Sequence, residues 1–264
     1  MVNLSAIRTA LFVPADRPER FIKAAASGAD AVILDLEDAV AISAKDAARM
    51  ALITNFTHLP VIVRINAGST AWHTADLAAV AKLDVAAAML PKAEDAAACV
   101  EVAKVAGKPV VALIESARGL AKARDIAAAP GVVRLAFGSI DYCTDLGCAH
   151  LREVLLPARH ELVLASSLAG IAGSLDGVTA RLDDLSISHD DAAHAHALGM
   201  TGKLCIHPSQ IAEVRRAFVP SEQEIVWAQR VLSSGDGAVA VDGNMVDEPV
   251  RTCARAILDE LKER

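Results

Sequence analysis

The amino-acid sequence predicts a (β/α)8 TIM barrel followed by a C-terminal hairpin and helix extension. Eight short apolar runs, many of them β-branched, recur over about 200 residues and alternate with Ala-rich helical patterns. Each run is apolar almost throughout, as expected for strands that helices cover on both faces. Eight such strand–helix units are typical of a closed parallel barrel, and a doubly wound open sheet is the structural alternative.

The predicted strands follow one another at similar spacing, and the seventh is the least regular. In chain order they are Thr9–Pro14, Ala31–Glu37, Pro60–Asn66, Ala86–Lys92, Pro109–Glu115, Val132–Gly138, Gly173–Val178 and Gly202–His207. Segments such as "RPERFIKAAASG" and "SAKDAARMALITNF" supply the helical patterns between them. The barrel is therefore predicted for residues 1–220.

Residues 221–264 are predicted to form an arm that packs on its own barrel or on a neighbouring subunit. Ser221 and Glu224 have capping-box spacing at the start of a helix. Asp242-Gly243 is the turn signal of a hairpin in "GAVAVDGNMVD", and a last helix follows. This segment is too short to be a domain in its own right.

Composition argues against a nucleic-acid-binding protein, a membrane-spanning protein and a secreted protein. The chain has 264 residues, of which 53% are hydrophobic, and a net charge of -7 without a basic stripe, so nucleic acid is not an expected partner. No apolar run approaches the roughly 20 residues of a membrane span, and the N-terminus lacks the pattern of a secretory signal. The five cysteines are scattered, which favours reduced thiols and a cytoplasmic location.

Charged residues follow nearly every predicted strand. Because active sites of these barrels lie at the carboxyl ends of the strands, the whole set is a candidate site. In chain order its members are Asp16, Arg17, Glu19, Arg20, Glu37, Asp38, Arg64, Lys92, Glu115, Asp141, Asp176 and His207.

Glu115 and Asp141 are the candidate metal ligands. Oxygen donors without a His or Cys partner suit a hard cation such as Mg²⁺, which takes one or two carboxylates and completes its octahedron with water and substrate oxygens. The alternatives are structural. Glu115 could pair with Arg118 or cap the next helix, and Asp141 could be a cap or turn residue.

Arg64 ends the third strand, where its planar fork could bind a carboxylate or a developing enolate oxygen. An ion pair with Glu37 or Asp38 is the alternative. Strand alternation sends Asp35 and Glu37 to one face and Asp38 to the other if the strand extends that far. Glu37 is then expected to support metal-bound waters or to orient Arg64.

Two further groups are candidate substrate-binding residues. Gly138 and Ser139 could present backbone N–H groups to a substrate carboxylate. Arg17, Arg20 and Lys23 form a basic edge that could receive phosphates, although a solvated helix face explains them equally well. Ser139 and His207 are not expected to form a hydrolase triad, because no nucleophile elbow accompanies them.

Seven segments in chain order resemble the HpcH/HpaI aldolase and citrate lyase superfamily, and within it the citrate lyase beta-subunit-like branch. They are "LFVPADRPERF", "GADAVILDLEDAV", "VRINAGST", "MLPKAE", "ALIESARGL", "FGSIDYCTDLG" and "GKLCIHPSQI". The resemblance runs from Leu11 to Ile211. It implies a (β/α)8 barrel, Mg²⁺ held by Glu115 and Asp141, and an Arg64 that contacts the acyl or keto-acid part of an acyl-CoA thioester.

The resemblance also implies that CoA phosphates lie near the first βα turn, with Arg17, Arg20 and Lys23 as candidates. The segment "GNMVDEP" is similar to one that carries a catalytic aspartate in citramalyl-CoA and malyl-CoA lyases, where it reaches the metal site of an adjacent subunit of a trimer. That residue maps to Asp247, for which an N-cap before Glu248-Pro249 is the alternative.

The resemblance therefore predicts a cytoplasmic, homotrimeric or higher-order Mg²⁺-dependent lyase. It would cleave a 3-hydroxyacyl-CoA thioester to a keto acid and an acetyl-CoA-like thioester. The alternatives are a metal-dependent aldolase of free hydroxy-keto acids, an acyl-CoA thioesterase and a subunit of a citrate lyase complex. The aldolase branch usually relies on a histidine, and none is evident in the sequence near the ends of strands five and six.

Overall fold

The structure is a computed structural model that describes residues 3–262. Eight parallel strands close into a barrel in chain order, with β1 hydrogen-bonded to β8. The barrel strands are β1 Thr9–Pro14, β2 Ala31–Asp35, β3 Val61–Arg64, β4 Ala87–Leu90, β5 Val110–Ile114, β6 Val132–Phe137, β7 Ala172–Asp176 and β8 Gly202–Cys205. The predicted closed barrel is confirmed, and the open sheet is excluded.

Most of the observed strands end one or two residues before the predicted ends. Glu37, Lys92, Glu115 and His207 were assigned to strands, yet each follows its strand in a loop. The alternation argument for Asp35 and Glu37 therefore does not hold, because β2 stops at Asp35. These polar side chains follow the last residue of each strand and lie at the carboxyl end of the barrel. The conformation of the loop, and not the strand alternation, decides where they point.

Helices lie between successive barrel strands along the chain, and the last two helices belong to the C-terminal segment. They are α1 Phe21–Ala25, α2 Lys45–Met50, α3 His73–Val80, α4 Ala96–Ala106, α5 Ala117–Ala121, α6 Ala123–Ala127, α7 Ser139–Leu146, α8 Arg152–Ala169, α9 Leu185–Ala197, α10 Ile211–Ala217, α11 Glu222–Ser233 and α12 Glu248–Lys262. None of the helices within residues 3–262 has the length and hydropathy to cross a membrane.

Apolar side chains, most of them small or branched, fill the barrel interior; they include Ala10, Ile33, Leu113 and the unbranched Met89. At the amino-terminal ends of the strands, the fully buried Arg134 donates to the carbonyls of Leu4 and Gly173 and to Thr201 Oγ1 at 2.6–2.8 Å. These three acceptors satisfy the guanidinium, which burial would otherwise make costly. The polar residues available for chemistry are therefore those at the opposite end of the barrel.

The chain divides into two compact units, residues 1–216 and 217–264. In the second unit, β9 Val239–Val241 and β10 Asn244–Val246 form an antiparallel hairpin. Its turn is the predicted Asp242-Gly243, and both residues have positive φ, 52° and 79°, as a tight hairpin turn requires. The predicted capping box at the start of α11 is also present, since Ser221 and Glu224 each accept the other's backbone N–H.

Candidate active site

A cavity of about 350 Å³ lies at the carboxyl ends of the barrel strands. Apolar side chains such as Phe12, Leu113 and Val178 form much of its wall. Its charged and polar lining residues come from the ends of four strands, β2, β3, β5 and β6, and the segments that follow them. They are Asp35, Asp38, Arg64, Glu115, Gly138, Ser139 and Asp141. The structure thus brings both predicted metal ligands, Arg64, Gly138 and Ser139 to one cavity.

Glu115 follows β5 and is only 2% exposed. Its Oε1 accepts the backbone N–H of Lys92 at 2.8 Å, whereas its Oε2 is buried without a hydrogen-bond partner. A Cβ on Gly138 would lie 2.5 Å from Oε2, so only glycine leaves this oxygen room at that position. One carboxylate oxygen is therefore anchored, and the other is available to a ligand that the protein does not itself supply.

Neither structural alternative for Glu115 holds. Arg118 pairs with Glu94 instead, at 3.8 Å, and Ser116 provides the N-cap of α5 by accepting the N–H of Gly119. Burial, followed by the neighbouring Glu37 and Asp141 charges, raises the pKa of Glu115 to about 8, although Lys92 opposes the rise. Burial therefore favours the neutral acid, and a cation bound beside Oε2 would favour the charged form.

Asp141 lies in the first turn of α7, is half-buried and faces the same cavity as Glu115. Two carboxylates, one with an orphaned buried oxygen, fit a hard divalent ion that keeps water or substrate oxygens in its other positions. Within residues 3–262 no group of three or more His, Cys, Asp or Glu side chains is arranged to hold a metal. The donor set therefore suits an open Mg²⁺ site better than a closed structural site.

Arg64 is held by two carboxylates. Its Nε and Nη2 donate to Asp35 at 2.7 and 2.6 Å, and its Nη1 lies 2.9 Å from Glu37 Oε2 in an ion pair without hydrogen-bond alignment. The guanidinium also stacks over Phe12, 4.7 Å from the ring centre. Hydrogen bonds and charge from Asp35 outweigh burial and raise the pKa of Arg64. The predicted pairing with Glu37 occurs, but Asp35 and not Asp38 is the second partner.

Lys92 has a role at the site that the sequence did not reveal. Its Nζ donates to Glu37 Oε1 at 2.8 Å and lies 3.8 Å from Glu115 Oε1. Its backbone is left-handed, with φ 47°, which is uncommon and unfavourable for a residue other than glycine. This conformation directs both the N–H and the ammonium of one residue toward the two carboxylates.

Lys45 fixes the backbone at Glu37. Its ammonium is buried and donates to the backbone carbonyls of Leu36 and Glu37 at 2.8 and 2.7 Å. Burial lowers the pKa of Lys45, and the surrounding carboxylates oppose that change. Glu37 is thereby fixed through its backbone as well as through Arg64 and Lys92.

Gly138 and Ser139 lie where β6 passes into α7. The Gly138 N–H donates to the Ile114 carbonyl at 2.9 Å, so the prediction that this amide is available to a substrate carboxylate is wrong. The Tyr142 N–H donates to the Gly138 carbonyl, and the first-turn amides of Ser139, Ile140 and Asp141 come before it and have no acceptor within the helix. Ser139 Oγ lies 2.9 Å from His150 Nε2. The expectation that no histidine lies near the end of strand six is therefore wrong: the loop after α7 brings His150 back to it. His207 instead caps a short 3-10 turn.

The remaining predicted residues lie elsewhere. Arg17, Arg20 and Lys23 are exposed around the start of α1 and do not line the cavity, and Arg20 lies 4.0 Å from Glu19. Asp247 belongs to the second unit, where it precedes α12 and its Oδ1 lies 3.5 Å from the Val250 N–H. The capping alternative for Asp247 therefore occurs in the structure, and its catalytic role stays a prediction.

The chain is thus a TIM-barrel protein with a charged cavity at the carboxyl ends of its strands, which is where enzymes of this fold class have their active sites. The model of the HpcH/HpaI aldolase/citrate lyase family matches residues 8–208. The chain belongs to that family and is an enzyme of the lyase class.

Two relatives and one solved structure give the family context. The "Citrate lyase subunit beta-like protein" of Mycobacterium tuberculosis is 45% identical over 259 residues, 94% of this chain and 93% of its own. The "(3S)-malyl-CoA thioesterase" of Cereibacter sphaeroides is 33% identical over 265 residues, 95% and 93%. The crystal structure of M. tuberculosis CitE with magnesium, acetoacetate and coenzyme A has a TM-score of 0.89 and 44% identity, covering 98% and 100%.

Proposed function

We propose that this protein is a Mg²⁺-dependent carbon–carbon lyase that cleaves a 3-hydroxyacyl-CoA thioester of the citramalyl, malyl or citryl type. The products would be a keto acid and an acetyl-CoA-like thioester. The observation that carries the proposal is the unpartnered, buried Oε2 of Glu115 beside Asp141 and Arg64 in one cavity. The similar CitE structure, which contains magnesium and coenzyme A, supports the same cofactor and substrate class.

Glu115 and Asp141 are the residues that would hold the cation. When bound, Mg²⁺ supplies Lewis-acid polarisation of the substrate hydroxyl and carboxylate oxygens, which eases proton loss from the hydroxyl. The protein contributes preorganisation: Lys92 N–H fixes one oxygen of Glu115, and Gly138 leaves space for the other.

Arg64 would stabilise the negative charge that develops as the carbon–carbon bond breaks. Its Asp35 pairing holds the fork in one orientation, so little reorganisation accompanies the reaction. Glu37 contributes by holding Nη1 of the same guanidinium, and this is the role we assign to it. The first-turn amides of α7 would bind the carboxylate of the keto-acid half.

Outside the cavity, Arg17, Arg20 and Lys23 would meet the CoA phosphates, since all three are exposed cations beside the end of β1. Asp247 would be the acid that protonates the enolate carbon of the departing thioester, supplied by a neighbouring copy in a homotrimer. The resemblance of "GNMVDEP" to the lyase segment supports this assignment.

The test of the proposed function is a panel of four thioesters: citramalyl-CoA, malyl-CoA, β-methylmalyl-CoA and citryl-CoA. We expect release of a 2-oxo acid, called the keto acid here, from at least one of them with Mg²⁺: pyruvate, oxaloacetate or, from the two malyl thioesters, glyoxylate. Its release should cease on addition of EDTA. Discrimination among these acyl groups should be modest, because a methylene-sized difference is worth about 1–3 kcal/mol. Keto acid from none of the four would remove the lyase assignment.

A thioesterase is the second candidate, because one relative is named a (3S)-malyl-CoA thioesterase. It would use the same cavity and cation. The same assay separates the two activities. Hydrolysis releases free CoA thiol without keto acid, whereas carbon–carbon cleavage releases keto acid and keeps the CoA in a shorter thioester.

Replacing Asp247 by asparagine tests the assignment of the proton donor. We expect the cleavage rate to fall by about 10²- to 10⁴-fold, the scale of general acid catalysis, with Mg²⁺ binding unchanged. Asparagine caps a helix as well as aspartate does, so α12 should stay folded by circular dichroism. Asp242→Asn, on the exposed hairpin turn, is the matched control. Full activity in Asp247→Asn would refute the assignment.

A further inference from the structure

The Ser139 hydroxyl lies at the wall of the cavity and has a defined partner. Ser139 is 2% exposed, and its Oγ lies 2.9 Å from Nε2 of His150, an exposed residue in the loop between α7 and α8. Ser139 and Asp141 share the first turn of α7, and the unpartnered Glu115 Oε2 lies beside Gly138, which precedes that turn. The hydroxyl is therefore next to the place where the cation and the substrate oxygens would meet.

A second contact confines this hydroxyl. A Cβ on Gly177 would overlap Ser139 Oγ, so a glycine is needed there. Lys203 Nζ donates to the Gly177 carbonyl at 2.5 Å and to Asp176 Oδ2 at 2.9 Å. These groups are buried, so the segment that follows β7 is rigidly held. Ser139 Oγ thus rests between a fixed backbone on one side and the His150 imidazole on the other.

The direction of the Ser139–His150 hydrogen bond decides what the hydroxyl offers to the cavity. If Nε2 carries the proton, His150 donates to Oγ and the hydroxyl proton is free to donate elsewhere. If Nε2 carries no proton, the Ser139 hydroxyl donates its hydrogen to Nε2, and only the lone pairs of Oγ remain for a ligand in the cavity. An anionic oxygen in the cavity would favour the tautomer with the proton on Nε2. The hydroxyl can then donate to the anion, whereas its lone pairs alone would be repelled.

We propose that Ser139 Oγ donates a hydrogen bond to a carboxylate oxygen of the keto-acid half of the substrate, and that His150 is the positioning residue that makes it a donor. This inference rests on the proposed function for the identity of the ligand. It adds a substrate-binding hydroxyl to the first-turn amides of α7, and it gives the exposed loop after α7 a role in substrate affinity.

The test is the dissociation constant of oxaloacetate in the presence of Mg²⁺, measured by isothermal titration calorimetry on the whole protein. Ser139→Ala and His150→Leu should each weaken binding about 10-fold or more, the scale for a hydrogen bond to a charged group. The double variant should be no weaker than either single variant, because both changes remove the same contact. His150→Gln should restore most of the affinity, since its amide nitrogen also donates.

His160→Leu is the matched control, because it makes the same change at an exposed position of α8. In steady-state cleavage the His150→Leu variant should raise KM more than it lowers kcat. Unchanged oxaloacetate affinity in His150→Leu, or additive losses in the double variant, would overturn the inference while leaving the lyase proposal intact. If the unmodified protein binds pyruvate or glyoxylate in place of oxaloacetate, the same comparison of variants is made with that acid. Failure to bind any of the three acids with Mg²⁺ would overturn both.

Discussion

Glu115→Gln is expected to abolish Mg²⁺-dependent turnover and to weaken Mg²⁺ binding by more than about 100-fold. Mutation of a residue that only hydrogen-bonds to a metal ligand already lowers metal affinity by about 10- to 100-fold, and loss of a ligand should lower it further. An amide still accepts the Lys92 N–H through its oxygen, but it carries no charge to hold a hard cation. The folded state should be at least as stable as before, because a buried carboxyl whose pKa is raised to about 8 is removed.

Calorimetric titration with Mg²⁺ measures this loss directly, and thermal unfolding gives a second readout. Mg²⁺ should raise the Tm of the unmodified protein through binding to the folded state and should leave that of Glu115→Gln unchanged. Glu101→Gln, on the exposed face of α4, is the matched control. A Glu115→Gln protein that keeps full metal-dependent activity would contradict the metal assignment.

Arg64→Lys is expected to lower kcat/KM by about 10²- to 10³-fold, the scale for loss of one preorganised electrostatic donor. Lysine keeps the positive charge beside Asp35 and Glu37, so the buried carboxylates stay compensated. It cannot reproduce the two parallel hydrogen bonds to Asp35 and still reach Glu37 and a substrate oxygen. The expected defect is therefore in chemistry and not in folding.

Arg124→Lys provides the control for this substitution. Arg124 makes a two-pronged pair with Glu161 at 2.7 and 2.9 Å, but the pair is exposed to solvent. The assay is steady-state cleavage of the best thioester, accompanied by thermal unfolding of both variants. If Arg64→Lys retains kcat/KM within threefold of the unmodified protein, Arg64 does not stabilise the developing charge.

The fold was predictable because the apolar runs that mark buried strands are also the segments that pair in the barrel. Strand starts such as Thr9, Ala31 and Val132 were predicted at the observed residues. The end of β1 at Pro14 was also predicted, but the other seven strand ends were predicted one or two residues too late. A polar residue after the last apolar one is compatible with a strand and with a loop. Glu37 and Glu115 were therefore assigned to strands although they lie in loops at the mouth.

The candidate site was predictable as a set of residues but not as a set of contacts. Glu115, Asp141 and Arg64 were identifiable because charge after an apolar run points to the barrel mouth. The left-handed backbone of Lys92 has no signal in the local sequence, because lysine rarely adopts it. His150 was missed because its contact depends on how the loop after α7 folds back, eleven residues beyond Ser139.

The cavity wall has a consequence for the order in which ligands arrive. Among the described residues that line it, the carboxylates of Asp35, Asp38 and Asp141 and the carboxyl group of Glu115 face a single guanidinium. A concave surface with this charge attracts divalent cations from solution and repels an acyl thioester that carries its own carboxylate. Binding should therefore be ordered: the divalent cation binds first and makes the local electrostatic potential favourable for the anionic thioester, which binds second.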